Sequence, residues 1–396
     1  MTAFALRTKP KKAEASAPAK KKKSNWLLRL NAWLHLWPSI ISGIIVIIVC
    51  LSGTIIVYCD EIMNFTAGPS KYVSLPPDAK PVTADAILNS IKDRDSAFQV
   101  SEMVFFQEEQ RSVRVRAFHK GTGKLNLIYV NPYTAEILDV DYTIHFFFVM
   151  AHIHSHLLAG KIGGWIVLLS TVIFLVSCIT GLVLWWPKRW TKKTRQDSFT
   201  VKWKAKFKRL NYDLHNVYGF YALLLCFILS LTGVFIFFHS LSEAISKTFG
   251  GSADHLETIL PKAIEGAPSL DFAQLAFKAL KKHPNQPNAS IWVPRENKTG
   301  AYVFNLGVAG LKSTENLAVM VFDKYTGQEL AVEKPYIIHE QVENSIWQLH
   351  MGQWWGQFGK FSTFLAGLIA TSLPITGFLI WWGRTRKKKK IPKPQT

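Results

Sequence analysis

His152-Ile153-His154-Ser155-His156 stands just ahead of Gly160-Lys161-Ile162-Gly163-Gly164, and an apolar run then continues from Trp165 to Trp186 and closes on Pro187-Lys188-Arg189. Three histidines therefore precede one mouth of a stretch long enough to cross a bilayer. The arrangement recurs near the C-terminus at an offset of 196 residues, which carries His154 onto His350, Gly160 onto Gly356, Gly163 onto Gly359, Thr180-Gly181 onto Thr376-Gly377 and Trp185-Trp186 onto Trp381-Trp382. A second offset, of 180 residues, carries Arg29-Leu30-Asn31 and Leu34-His35 onto Arg209-Leu210-Asn211 and Leu214-His215, and Gly53 onto Gly233. Ionisable side chains placed at matched depth in a membrane mark function by default.

The 396 residues are 48% hydrophobic, with a mean hydropathy of +0.11. That is too apolar for an ordinary soluble chain and too polar for one that lies wholly in lipid. Four apolar runs are long enough to span: about 37–59, 162–186, 214–238 and 361–382. The Lys-rich start and the length of the first run argue against a cleaved signal peptide. The net charge of +20 is not spread as a nucleic-acid footprint would be, because Lys and Arg number 9 in residues 1–33, 10 in 187–212 and 7 in 383–396. Residues 60–145 carry 9 basic against 12 acidic side chains, and 240–355 carry 10 against 12. Basic segments stay on the cytoplasmic side. Both termini are therefore expected inside, with two segments outside. The basic tails also suit anionic lipid headgroups or an acidic electron donor.

The fold expected is an α-helical integral membrane protein: four transmembrane helices in two pseudo-twofold repeats, plus two small α+β domains outside. Residues 1–24 form a disordered basic tail, 25–60 the first span, and 61–145 the first external domain. The His-rich entrance and second span occupy 146–187, a basic loop 188–209, the third span 210–240, the second external domain 241–345, the fourth span 346–384, and a basic tail 385–396. In the first external segment a helix is expected over 82–94, capped by Thr83, with strands over 99–107, 112–119 and 124–130. In the second the helix falls at 270–282 and the strands at 289–294, 301–306 and 317–322. Neither segment carries a Gly-rich phosphate loop, a nucleophile elbow or a flavin fingerprint. The four cysteines lie in or at the ends of spans and form no C-x-x-C motif, which argues against a thiol redox centre and covalently attached haem.

Twofold symmetry brings His35 to face His215 and His154 to face His350, one pair near each leaflet. Opposed imidazoles across a helical bundle are a usual way to hold a b-type haem, with iron taking a neutral ring nitrogen on each side. Zinc is the rival ligand: His152 and His156 share a helix face, yet no Cys or acidic cluster joins them. A hydrated interfacial histidine is the plainest alternative for any one of them. His152, His156 and His239 are held in reserve as ligands, His145 and His339 as reserve ligands or proton-active groups, and His119, His255 and His283 are expected on the surface. Gly53, Gly181, Gly233 and Gly377 serve either close helix packing or room for a flat macrocycle. The Trp pairs read as an aromatic belt.

The Leu-His leading into a span, the His-x-x-x-x-x-Gly-x-x-Gly entrances at His154 and His350, the Thr-Gly-x-x-x-Trp-Trp exits and the Tyr-Thr-Gly/Ala-Gln/Glu turns resemble bacterial PepSY-associated transmembrane helix proteins, over about residues 25–385. Within that group the compact four-helix form resembles inner-membrane ferric-siderophore reductases of the ferrioxamine type. The resemblance implies two non-covalent b haems ligated by His35, His215, His154 and His350, periplasmic PepSY-like domains, and electrons delivered from a cytoplasmic or quinol donor to a ferric siderophore. It implies the bacterial inner membrane as location, a lipid bilayer as partner and no nucleic acid. One departure stands out: Gln348 occupies the place that His152 has in the first half. The rival activities are a quinol-linked dihaem oxidoreductase and a haem-free scaffold that binds a peptide or protease.

Overall fold

The computed structural model describes residues 26–75, 77, 79–253, 260–294 and 299–386. The expected basic tails, save Thr385 and Arg386, and the expected surface residue His255 lie outside them. The helices are α1 (Trp26–Ile56), α2 (Cys59–Thr66), α3 (Ala84–Arg94), α4 (Thr143–His156), α5 (Gly160–Trp185), α6 (Lys192–Phe199), α7 (Phe207–Phe237), α8 (His239–Thr248), α9 (Phe272–Lys282), α10 (Lys334–Met351) and α11 (Gly356–Thr385). Four of them, α1, α5, α7 and the segment Gln353–Thr385 that contains α11, are long and apolar enough to cross a membrane. Helix α1 packs on α5 and α11, and so does α7, which closes a four-membered bundle with α1 and α7 on one diagonal. The outward faces stay apolar and bare, with Ile41 79% and Leu224 68% exposed, as lipid contact requires. The spans run further than the apolar runs alone suggest, because the Asn- and Arg-bearing turns ahead of His35 and His215 are already helical.

Two irregularities fall beside His35 and His215. Pro38 lies inside α1, one turn past His35, and residues 214–218 of α7 form one turn of π-helix around His215. Proline removes a backbone donor and a π-turn re-aims the side chains it carries. The His-rich entrance is a separate helix, not a lead-in to the span. Leu157 and Leu158, at φ 52° and 56°, and Gly160, at φ 55°, break the chain between α4 and α5. Gly352 at φ 72° ends α10 in the same left-handed conformation.

Both segments between the spans feed one antiparallel sheet of β1 (Phe98–Phe106), β2 (Val113–His119), β3 (Lys124–Val130), β4 (Ile137–Asp141), β5 (Asn288–Trp292), β6 (Ala301–Ala309), β7 (Thr314–Asp323) and β8 (Glu329–Leu330), in the order β4-β3-β2-β1-β5-β6-β7-β8. The join is β1 against β5, from Glu102 opposite Trp292 to Phe106 opposite Asn288. Alternation sends Met103, Phe105, Val115, Ile128, Phe304 and Phe322 to one face, where they form a core with Ile87 and Ile91 of α3 and Ala276 and Leu280 of α9. Thr83 caps α3 and Asp271 caps α9. Asp271 also accepts from the Ala84 amide at 2.7 Å, tying the two helices together.

The other face of the sheet meets the span ends. The turn between β6 and β7 places Leu311 against Ile56, Cys59, Met63, Phe147 and Met351. Asn344 and Gln348 of α10 grip Thr314: its amide donates to Asn344 Oδ1 at 2.9 Å, and its carbonyl accepts from Asn344 Nδ2 at 2.6 Å and Gln348 Nε2 at 2.8 Å. Ser313 hydrogen-bonds Gln353, and Lys360 of α11 reaches Glu61 of α2 at 2.7 Å. The sheet is thus bolted to the helices that carry His154 and His350.

Candidate functional site: two facing imidazole pairs

His35 on α1 and His215 on α7 face each other across the bundle diagonal, with ring centroids 6.4 Å apart and planes at 78°. His154 on α4 and His350 on α10 face each other on the sheet-bearing side, with centroids 5.9 Å apart and planes at 56°. His154 lies level with Val49 and Gly53 of α1. Val49 stands about 21 Å of helix rise beyond His35, so the pairs occupy opposite ends of the bundle. Between them lies an apolar layer built on Cys178, Ala222, Cys226, Ala366 and Ala370, with Phe174, Leu229 and Cys50 at its margin. All four cysteines are free.

Each ring is held from one side. His35 Nδ1 lies 3.1 Å from Thr180 Oγ1, and that hydroxyl donates its own proton to the Val176 carbonyl at 2.8 Å. The hydroxyl oxygen can then only accept, so the His35 proton is on Nδ1 and the Nε2 lone pair is free. The same reasoning applies to His215. Its Nδ1 is 2.9 Å from Thr376 Oγ1, which donates to the Ser372 carbonyl at 3.0 Å. It applies again to His350, 3.0 Å from Thr232 Oγ1, which donates to the Ile228 carbonyl at 2.8 Å. His154 departs from the pattern: its Nδ1–H donates to the Val49 carbonyl at 2.8 Å. Ser52, which the 180-residue offset places opposite Thr232, turns its hydroxyl onto the carbonyls of Ile48 and Val49. All four imidazoles are thus fixed in the tautomer that metal-bound histidines adopt, with the distal nitrogen anchored and Nε2 presented.

A glycine stands against every ring. A Cβ at Gly181 would come within 3.1 Å of His35 Cε1, at Gly377 within 3.2 Å of His215 Cε1, at Gly53 within 2.7 Å of His154 Cε1, and at Gly233 within 3.4 Å of His350 Cε1. The room these glycines leave is for the imidazole ring, a third reason beside the two that sequence suggested. Asn31 and Asn211 donate to the carbonyls of Thr180 and Thr376 at 3.1 and 3.0 Å, which braces the same turns. Thr180 and Thr376 were visible as the threonines of the Thr-Gly motif. Thr232, the Val49 carbonyl and the two asparagines as braces were not, because helical periodicity alone does not show which hydroxyl meets a ring on another helix.

The residues fit an axially ligated metal centre. With metal–nitrogen bonds of about 2.0 Å, two rings on opposite sides of one metal have centroids about 6.3 Å apart, and the observed spans bracket that value. Haem iron between two neutral imidazoles needs the free Nε2 that all four rings present.

His152 and His156 lie on the exposed face of α4, away from both pairs. His239 starts α8 in an exposed position. His145 accepts from the Leu125 amide through Nδ1 at 3.3 Å. His119 is not a free surface residue: it packs edge-on to Phe98 and bonds Asp95 at 2.8 Å. Nor is Trp185 part of a belt, since it is buried and stacked on Phe220 at 3.8 Å, while Trp186 and Trp382 remain exposed. Among the described residues no group of three or more His, Cys, Asp or Glu side chains is arranged to hold a metal ion.

Fold and site together define a four-span helical membrane protein with two intramolecular imidazole pairs and an antiparallel sheet set over one end of the bundle. A family model described as the PepSY-associated TM region matches residues 32–384, and the chain belongs to that family. No curated protein matches its sequence.

Proposed function

We propose that this protein is a bacterial inner-membrane dihaem reductase: it carries electrons from the cytoplasmic side to ferric siderophores in the periplasm and so frees ferrous iron for uptake. The observation that carries this reading is the pair of facing imidazoles at each end of the bundle, every ring with Nδ1 anchored and Nε2 free. His35 and His215 are assigned to the inner haem b, and His154 and His350 to the outer one. Bound there, haem supplies reversible one-electron chemistry. The protein's own part is to fix the rings, exclude water from the apolar layer between the pairs, and hold an open mouth under the sheet. The charge asymmetry of the sequence supports a periplasmic sheet and cytoplasmic termini. The matching of contacts at offsets of 180 and 196 residues supports an internal duplication. Siderophore oxygens favour the ferric ion, so one electron per iron loosens the complex.

The test is reoxidation of the dithionite-reduced protein by a ferric hydroxamate siderophore, with ferrous iron trapped by a ferrous-specific chelator. The purified protein is expected to show a Soret band and two haems per chain. His154→Ala or His350→Ala should remove one haem and stop iron release. Rapid turnover of quinone without siderophore reduction would replace the acceptor, and colourless protein from haem-replete cells would sink the reading altogether.

A further inference from the structure

We propose that His152 and His156 form a binding site for a divalent late first-row transition-metal cation, exposed at the sheet-side mouth of the bundle and separate from the two facing pairs. The two residues are one helical turn apart on α4, both exposed, with ring centroids 6.3 Å apart and planes at 33°.

Both rings are prepared as ligands. His152 Nδ1–H donates to the Phe148 carbonyl at 2.8 Å, and its ring rests on the Phe148 ring at 4.0 Å. Phe148 in turn stacks on His145 at 5.9 Å. His156 Nδ1 meets Ser155 Oγ, and that hydroxyl gives its proton to the Ala151 carbonyl at 2.7 Å. The serine oxygen is therefore the acceptor, and the His156 proton is on Nδ1. Each ring consequently keeps an unshared Nε2 lone pair, with the far nitrogen held in the manner that orients metal-binding imidazoles; the Cδ2–Nε2 edge of His156 runs along Gly164 of α5. Two rings on one cation at a tetrahedral angle have centroids about 5 Å apart, so a small rotation of the side chains closes the site. Water completes the coordination.

The second half of the chain sharpens the inference. At the 196-residue offset, Gln348 stands for His152 and Gly352 for His156. Gln348 is spent on gripping Thr314, and Gly352 ends its helix. The histidine pair is thus an addition to one half of an otherwise matched frame. Imidazole nitrogens suit Cu²⁺, Zn²⁺ and Ni²⁺, with Cu²⁺ the tightest of the three. The inference does not rest on haem at the facing pairs.

The experiment uses the full chain, carrying no polyhistidine tag, in detergent or nanodiscs. Zn²⁺ alone is titrated by calorimetry, and one equivalent of Cu²⁺ is followed by electron paramagnetic resonance. One site is expected, with nitrogen hyperfine structure from two imidazoles. His152→Gln and His156→Gln should each weaken it by tenfold or more, and His283→Gln should leave it unchanged. As a readout on the unmutated protein, Zn²⁺ should protect His152 and His156 from diethylpyrocarbonate, as mapped by mass spectrometry. Unchanged stoichiometry and affinity in the double variant, or equal modification with and without Zn²⁺, would overturn the proposal.

Discussion

Gly53 and Gly233 occupy matched positions on α1 and α7, yet alanine should act on them in opposite senses. In an ordinary helix interior, alanine in place of glycine gains about 1 kcal/mol. At Gly233 the new Cβ meets His350 Cε1 at 3.4 Å and Thr171 Cγ2 at 3.8 Å. Those are ordinary contacts, so most of the gain survives. At Gly53 the Cβ would stand 2.7 Å from His154 Cε1 and 2.9 Å from its Nδ1. To regain a contact of about 3.5 Å the ring must withdraw, and withdrawal stretches the 2.8 Å bond from Nδ1 to the Val49 carbonyl. Overpacking costs roughly 1–3 kcal/mol, and the strained hydrogen bond adds about 1 kcal/mol. The two substitutions should therefore differ by about 3 kcal/mol, or about a hundredfold in the population of the correctly placed ring.

Thermal unfolding in detergent and haem content per chain read this directly. Gly53→Ala should melt lower than the parent and, on the proposed dihaem reading, lose about half its haem, whereas Gly233→Ala should melt at or above the parent and keep its full haem content. Gly181→Ala and Gly377→Ala, with contacts of 3.1 and 3.2 Å to Cε1 of His35 and His215, should fall between them and act on the other pair. Equal behaviour of Gly53→Ala and Gly233→Ala would refute the claim that the glycines make room for the rings.

Asn344→Ala removes two of the three side-chain bonds on Thr314. It should cost about 1–3 kcal/mol, with hydrogen exchange rising at Thr314 more than at β1. Lys360→Met breaks the bond to Glu61 and should destabilise by about 2 kcal/mol, the lysine being buried and the carboxylate one-third exposed; a melting temperature equal to the parent's would show the tie is idle. The Ala97 amide first, and His119 second, hold the Asp95 carboxyl below its ordinary value. Its contribution is therefore present above about pH 4 and lost as the pH falls through the lowered value, so Asp95→Asn should flatten the acid limb of a stability–pH curve and leave stability at neutral pH little changed in its pH dependence.

How much was legible follows from the range over which each feature is encoded. The four spans were readable because apolar runs of that length have few other uses, and the facing pairs because two offsets repeat histidine, glycine and threonine together. Three strands in each segment between spans were readable from alternation, β3 to the residue, whereas the short edge strands β4 and β8 were not. The union of both segments in one sheet was not readable either: the β1–β5 join pairs Met103 with Ile291, and nothing local in either run names its partner. The break at Leu157–Gly160 was hidden for another reason. Leucine is a poor marker of left-handed backbone, so nothing in the sequence showed where the entrance ends and the span begins. The grip of Asn344 and Gln348 on Thr314 depends on where a hairpin turn lands, which only the assembled sheet decides.

The two halves agree where the facing pairs are held and differ where the mouth meets solvent, and that difference bears on access. On α10 the outward side chains Asn344 and Gln348 are committed to the β6–β7 turn, whose Leu311 is seated among Ile56, Met63 and Phe147. On α4 the corresponding positions are Phe148 and His152, and they run on to His156 without a strand or turn bolted to them. The sheet is therefore tied to α10 through the β6–β7 turn and to the first turns of α4 through β3, where the Leu125 amide donates to His145 and Leu127 and Tyr129 pack with Ile144 and Phe147, while the side chains from Phe148 to His156 carry no such tie. A bulky acceptor approaching the outer pair meets a tied hairpin along α10 and an open aromatic and imidazole face along α4. If access follows that opening, replacing Phe148 with alanine should change the rate for a large ferric chelate more than for a small one, whereas loosening the hairpin through Asn344→Ala should speed the large chelate selectively. Equal effects of both variants on chelates of every size would mean that approach is set by the bundle mouth itself, with neither helix face guiding it.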